Sequence, residues 1–150
     1  YFMHTLIQTG LASLIALSQF GQTTIPANLN EANLASVVTA PVSVEEQIIK
    51  TANASQGVDA TLALKIAFCE SNLKQFDTNG QPLRGRKNPD DVGLFQINEK
   101  FHKKASVQDG LDINTVNGNV EYAVQLMSEP NGLKHWKWSK PCWGKYQTKS

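Results

Sequence analysis

Residues 60–69 constrain this chain more than any other stretch. Leu62, Ala63, Ile66, Ala67 and Cys69 form a broad apolar face at helical spacing, and Leu64 and Phe68 continue it round the helix, so nearly the whole segment is expected to be buried. Such a helix needs partners on several sides, and the sequence supplies them. Ser43-Val44-Glu45-Glu46 carries a capping-box signature, a serine oxygen placed for an orphan amide and a glutamate three residues later. It opens a helix over residues 44 to about 55, apolar at Val44, Ile48, Ile49 and Ala52, with Gly57 as its stop. Asp59 then caps the central helix. Farther on, the capping-rich residues 112–117 lead into an amphipathic helix bearing Val120, Tyr122, Ala123, Val124, Leu126 and Met127, ended by Pro130 and Gly132.

The connecting stretches are of other kinds. Residues 77–90, rich in Gly, Asn, Pro and Arg, predict a polar, ordered loop or short hairpin. Residues 93–98 predict a short strand or extended turn with Leu94 or Phe95 in the core and Gln96 and Asn98 facing out. Phe101 and His102 begin an irregular or short helical piece ending by Gly110, and His102 is expected in a structural or surface role. The fold class that follows is mainly α, of the α+β kind, with a short irregular or β segment. At 150 residues, 41% hydrophobic and 18% charged, the chain suits one globular domain with a real core.

That domain is expected over residues 43–150. Residues 5–20 carry no charge and include Leu6, Ile7, Leu11, Leu14, Ile15, Ala16 and Leu17, so residues 1–25 predict a secretory signal peptide or short membrane anchor, with an amphipathic helix packed on the domain as the alternative. Residues 26–42, with the single charge Glu31, predict a linker. The net charge of +1 gives no global field for nucleic acid, although basic residues gather at 84–87, 100–104 and 134–149 as solvated loops or a surface for an acidic polymer. Cys69 and Cys142 permit one disulfide or none. Export would favour the bridge, which would close a loop of about 70 residues, contribute about 4 kcal/mol and tie the C-terminal segment beside Glu70. His4, His102 and His135 are scattered, so no metal site is expected.

Two stretches carry candidate chemistry. Phe68-Cys69-Glu70-Ser71-Asn72 puts a carboxylate on the last turn of the apolar helix, where the helix end repels negative charge. That repulsion and apolar neighbours would both raise the Glu70 pKa, as a general acid requires; the alternative is a surface glutamate paired with Lys74 at i,i+4. Asp91-Val92-Gly93-Leu94-Phe95-Gln96-Ile97-Asn98 offers another acid, a glycine permitting close approach, and two amides, brought towards Glu70 by the preceding loop. Near the C-terminus Trp136, Trp138, Trp143 and Tyr146 alternate with lysines, a composition that stacks on sugars or closes a small core. Internal repeats, a phosphate-cradling glycine loop and a Ser-His-Asp set are missing.

Glu70-Ser71, Gly93-Leu94-Phe95-Gln96 and Asn119-Val120-Glu121-Tyr122-Ala123, over roughly residues 46–143, resemble the lysozyme-like superfamily, specifically the transglycosylase domain of the soluble lytic type. The resemblance implies a lysozyme-like fold whose short segment lines a glycan groove, Glu70 as catalytic acid and base, Ser71 steadying the neighbouring loop, and Gly93 and Gln96 on the groove. The family's Ala-Tyr-Asn-x-Gly motif is absent, and His135-Trp136-Lys137-Trp138-Ser139 stands about where it would be. The same stretches also look like animal-type lysozymes, in which an aspartate matching Asp91 is the second catalytic carboxylate. The expected catalytic residues are therefore Glu70 and Asp91, and the expected substrate-binding residues Ser71, Gly93, Phe95, Gln96, Asn98, Tyr122, Trp136 and Trp138. The implied activity is lytic cleavage of the MurNAc-GlcNAc β-1,4 bond of peptidoglycan glycan strands by an exported monomer, periplasmic or extracellular, free or membrane-anchored, with no cofactor and no nucleic acid. A hydrolytic muramidase using Glu70 with Asp91, a non-catalytic wall-binding module and a plain helical interaction domain are the alternatives.

Overall fold

The computed structural model describes residues 41–146. The expected signal peptide or anchor and nearly all of the linker lie outside the described residues. Five helices and a two-stranded hairpin follow in order: α1 (Val44–Ala54), α2 (Ala60–Ser71), β1 (Asp91–Val92), β2 (Ile97–Asn98), α3 (Glu99–Gln108), α4 (Val116–Ser128) and α5 (Lys140–Trp143), with 3-10 turns at Gly132–Trp136 and Gly144–Tyr146. The mainly helical class is as expected.

Local chemistry sets the helix starts. Ser43 Oγ accepts from the Glu46 amide at 3.1 Å, Asp59 Oδ1 accepts from the Thr61 and Leu62 amides at 2.8 and 3.1 Å, and Thr115 Oγ1 accepts from the Gly118 amide at 3.0 Å. Each bond satisfies an amide the helix cannot reach itself. The central helix α2 packs on α1 and α5, and α1 in turn on α4, so Ile48, Ala52, Leu62, Ala63, Ile66, Ala67, Val120 and Val124 share one core with Leu94, Phe95, Trp136 and Trp143. The expectation that nearly the whole of α2 is buried fails at Phe68, which is 52% exposed.

Of the two readings of residues 93–98, a short strand or an extended turn, the structure holds a turn over 93–96 followed by strand β2 at Ile97–Asn98. Asp91 pairs with Asn98 and Val92 with Ile97 in an antiparallel hairpin, and residues 93–96 make the turn, with Gly93 at φ 71° and Gln96 at φ 48°. A strand's alternation cannot survive a turn in its middle, so both Leu94 and Phe95 are buried. The preceding loop is ordered as expected: Asp77 Oδ1 accepts from the Asn79 and Gln81 amides, and Phe76 bridges Pro82 as Arg84 bridges Val92. The segment after the hairpin, expected as an irregular or short helical piece ending by Gly110, is the ten-residue helix α3. Among the described residues no helix is long and apolar enough to cross a membrane.

Cys69 and Cys142 form a disulfide across a separation of 73 residues, joining the end of α2 to α5. Replacing both by alanine is expected to lower the unfolding free energy by about 4 kcal/mol, chiefly by releasing the unfolded chain. Urea titration of the paired variant against the oxidised parent measures it.

Candidate functional site

The hairpin turn is buried, so its backbone groups must find partners within the protein. Side chains from four segments provide them. Gln75, just after α2, accepts from the Leu94 amide through Oε1 at 3.0 Å and donates through Nε2 to the Ile113 carbonyl at 3.2 Å. Asn119 on α4 accepts from the Phe95 amide at 2.9 Å and donates to the carbonyls of Val92 and Ile113 at 3.0 and 2.8 Å. Ser71 donates to the Leu94 carbonyl at 2.7 Å, and the Trp136 indole donates to the Phe95 carbonyl at 2.8 Å. Gly93 is required here twice over. Its φ of +71° suits glycine, and a Cβ would lie 2.4 Å from Gln75 Oε1 and 2.6 Å from Asn119 Nδ2.

Held this way, the hairpin walls a cleft of about 1180 Å³ lined by Glu70, residues 85–88, Asp91, Gln96, Asn98, Phe101, His102, His135, Trp136, Trp138 and Ser139, among others. Glu70 enters from the last turn of α2, half-buried. Burial pushes its carboxyl above the usual range, a hydrogen bond from Ser139 pulls it down, and the negative charge of Asp91 pushes it up again. Glu70 forms no ion pair with Lys74 among the described residues. Its partner is Ser139, whose Oγ donates to Oε1 at 2.5 Å. Asp91 takes the side-chain amides of Asn88 and Asn98, at 3.0 and 2.7 Å, both on Oδ1, which leaves Oδ2 without a donor among the described residues. One carboxyl is thus biased towards keeping its proton, while the other, also lining the cleft, has one oxygen without a donor among the described residues.

Of the sequence-predicted residues, Glu70, Asp91, Gln96, Asn98, Trp136 and Trp138 line this cleft. Trp138, 86% exposed, and Phe101, 75% exposed, offer open aromatic faces, and the Lys137 ammonium sits 4.9 Å from the Trp138 ring centroid. Ser71, Gly93, Phe95 and Tyr122 do not line it. Phe95 is completely buried, edge-on to Trp136, so its expected substrate contact is corrected to a core role, its backbone alone serving the turn. Tyr122 is buried behind His102, its hydroxyl 3.2 Å from Nδ1, and is likewise corrected. Ser71 and Gly93 act on the turn from behind.

Three contributors escaped the sequence. Ser139 lies 69 positions from Glu70 in a stretch without periodicity. Gln75 has no pattern that separates it from a surface glutamine. His102 and His135, read as scattered, meet with ring centroids 5.0 Å apart on the cleft wall. Burial is the main cause holding both imidazoles below their ordinary pKa, with the neighbouring charge second for each, His135 for His102 and Lys134 for His135, and with Glu129 opposing. Among the described residues no group of three or more His, Cys, Asp and Glu side chains is placed to hold a metal ion.

Comparison of the chain with family models, curated proteins and solved structures finds no match.

Asn119→Ala would orphan the buried Phe95 amide, while the Val92 carbonyl keeps its ladder partner Ile97 and the Ile113 carbonyl keeps Gln75, and an expected loss of about 2 kcal/mol follows. Thermal or urea unfolding checks the magnitude.

Proposed function

We propose that this domain is lysozyme-like and cleaves the β-1,4 bond between N-acetylmuramic acid and N-acetylglucosamine in peptidoglycan, acting as a lytic transglycosylase with Glu70 as its single catalytic acid and base. The observation that carries the reading is a half-buried carboxyl with a raised pKa at the wall of an open cleft. Aromatic faces at Trp138 and Phe101 suit the apolar side of a pyranose, and the amides of Gln96 and Asn98 suit its hydroxyl and acetamido groups. Arg86 and Lys87, at one part of the cleft, suit carboxylates of the peptide stems. The Cys69–Cys142 bridge supports an oxidising, exported setting.

In this mechanism protonated Glu70 gives its proton to the glycosidic oxygen as the C1–O bond breaks and positive charge develops at C1. The resulting carboxylate then takes the proton of the muramic C6 hydroxyl, whose oxygen bonds to C1 and closes the 1,6-anhydro ring. Proton and electron pairs balance with no water consumed. A second reading, hydrolysis by Glu70 with Asp91, is favoured by the presence of both carboxylates in the same cleft, with Asp91 Oδ2 taking no donor among the described residues.

Products and variants separate the two. Mass spectrometry of digested peptidoglycan is expected to show 1,6-anhydromuropeptides, with Glu70→Gln inactive and Asp91→Asn retaining most turnover; a muramidase would give reducing ends and lose roughly 100-fold or more in Asp91→Asn. Sedimentation with sacculi without soluble fragments would make the domain a binding module instead. Because the acid must carry its proton, activity is expected to fall as pH rises through the raised Glu70 value.

The same shift predicts a stability effect. A carboxyl whose folded pKa exceeds its unfolded value of 4.5 binds more protons in the native state, so the native state loses stability as pH rises from about 4.5 through the folded pKa. Glu70→Gln, which keeps an acceptor for Ser139, is expected to raise the melting temperature at pH 7 and leave it nearly unchanged at pH 4. Calorimetry at the two pH values tests the sign.

A further inference from the structure

Ser139 has one proton and two acceptors in reach. Its Oγ lies 2.5 Å from Glu70 Oε1 and 3.1 Å from the Trp136 carbonyl, while the Trp143 indole N–H reaches the same Oγ at 2.9 Å and the Trp136 carbonyl at 3.0 Å. With the indole donating to it, the hydroxyl keeps one proton to give and one lone pair to offer. When Glu70 is ionised, the charge-assisted bond to Oε1 takes that proton. When Glu70 is protonated, its own O–H needs an acceptor, which Ser139 Oγ becomes as the serine proton turns to the Trp136 carbonyl. Every group keeps a partner in both states, and no heavy atom has to move.

The surroundings fix this arrangement. Trp143 is almost completely buried, and the disulfide joins Cys69, next to Glu70, to Cys142, next to Trp143. The acid and the groups that orient it are therefore tied together on both sides. Ser139 makes no capping bond to α5, so its side chain serves Glu70 and the Trp136–Trp143 contact rather than the helix start.

We infer that Ser139 is the positioning residue of Glu70, a hydroxyl oriented by Trp143 that holds the carboxyl in one place and reverses its hydrogen bond as Glu70 loses and regains its proton. The inference rests on Glu70 being the acid of the proposed reaction, but its geometry can be tested without turnover. The other titratable or charged groups lining the cleft are Arg86 and Lys87 from the loop, Asp91 from the hairpin, His102 from α3 and His135 from the 3-10 turn.

The experiment is an NMR titration of the full chain, following the Glu70 side-chain carboxyl carbon and the Trp143 indole N–H, with Glu70→Gln to assign both and to separate the histidine titrations. In the wild type the indole resonance is expected to titrate with the same midpoint as the Glu70 carboxyl, and to lose that step in Glu70→Gln. Ser139→Ala, checked for folding by circular dichroism, is expected to move the Glu70 midpoint upward, because the bond removed favours the ionised form; Ser139→Thr restores it. In muropeptide release Ser139→Ala is expected to lose roughly 10- to 100-fold in kcat with KM little changed, and the alkaline limb should move up with the NMR midpoint. An indole resonance blind to the Glu70 titration overturns the inference even if Ser139→Ala does not fold. So does an unmoved Glu70 midpoint in folded Ser139→Ala, or a loss confined to KM. Coupled titration in a chain that releases no muropeptides upholds the positioning and rejects the proposed reaction.

Discussion

A buried turn cannot borrow hydrogen bonds from water, and the rest of this structure follows from how residues 93–96 meet that constraint. Gln75, Asn119, Ser71 and Trp136 reach the turn from the end of α2, from α4 and from the 3-10 turn. An unsatisfied buried amide or carbonyl costs roughly 1–3 kcal/mol, so the four side chains set where those elements sit relative to the hairpin. The turn is thereby a hub, and the cleft is the space left on its open side. Leu94 and Phe95 anchor it in the core, while Gln96 and Asn98, on either side of Ile97, remain at the cleft.

Glu70 illustrates the opposite tendency. A carboxyl at a helix C-terminus faces the negative end of the helix and loses solvation by burial. Ser139 relieves part of that cost, and the disulfide beside Glu70 keeps the relief in place through α5, which is only four residues long. A helix so short has little stability of its own, so the covalent tie and the burial of Trp143 do what helix propensity cannot. The stretch His135-Trp136-Lys137-Trp138-Ser139 thus delivers a hydroxyl to the glutamate.

The helices were legible because their signals are local. Ser43, Asp59 and Thr115 each cap within three residues, and the apolar spacing of α1, α2 and α4 is read directly from the chain. Glu70 was legible for the same reason, as an acid at the end of an apolar helix. Long-range pairings were not. Ser139 with Glu70 and His102 with His135 join segments whose approach depends on tertiary packing. Phe95 and Tyr122 fail in a different way. A short motif marks a segment near a site without saying whether side chain or backbone serves it, and at Phe95 the backbone amide and carbonyl do the work while the ring fills the core.

Where the polar bookkeeping fails to close is itself informative. Among the described residues the buried side-chain atoms without a hydrogen-bond partner are Asn98 Oδ1, Glu99 Oε2 and His135 Nε2. Asn98 and His135 line the cleft, and Glu99 follows Asn98 directly. The turn on the other side of the same hairpin has its amides and carbonyls matched by Gln75, Asn119, Ser71 and Trp136. Glu99 Oε2 has the Lys103 ammonium at 3.9 Å, so the atoms left unmatched are those of Asn98 and His135, both on the wall of the cleft that holds Glu70. Proteins tolerate such costs where side chains must stay available to something other than the fold. Together with Asp91 Oδ2, which takes no donor among the described residues, they concentrate unused hydrogen-bonding capacity at the cleft.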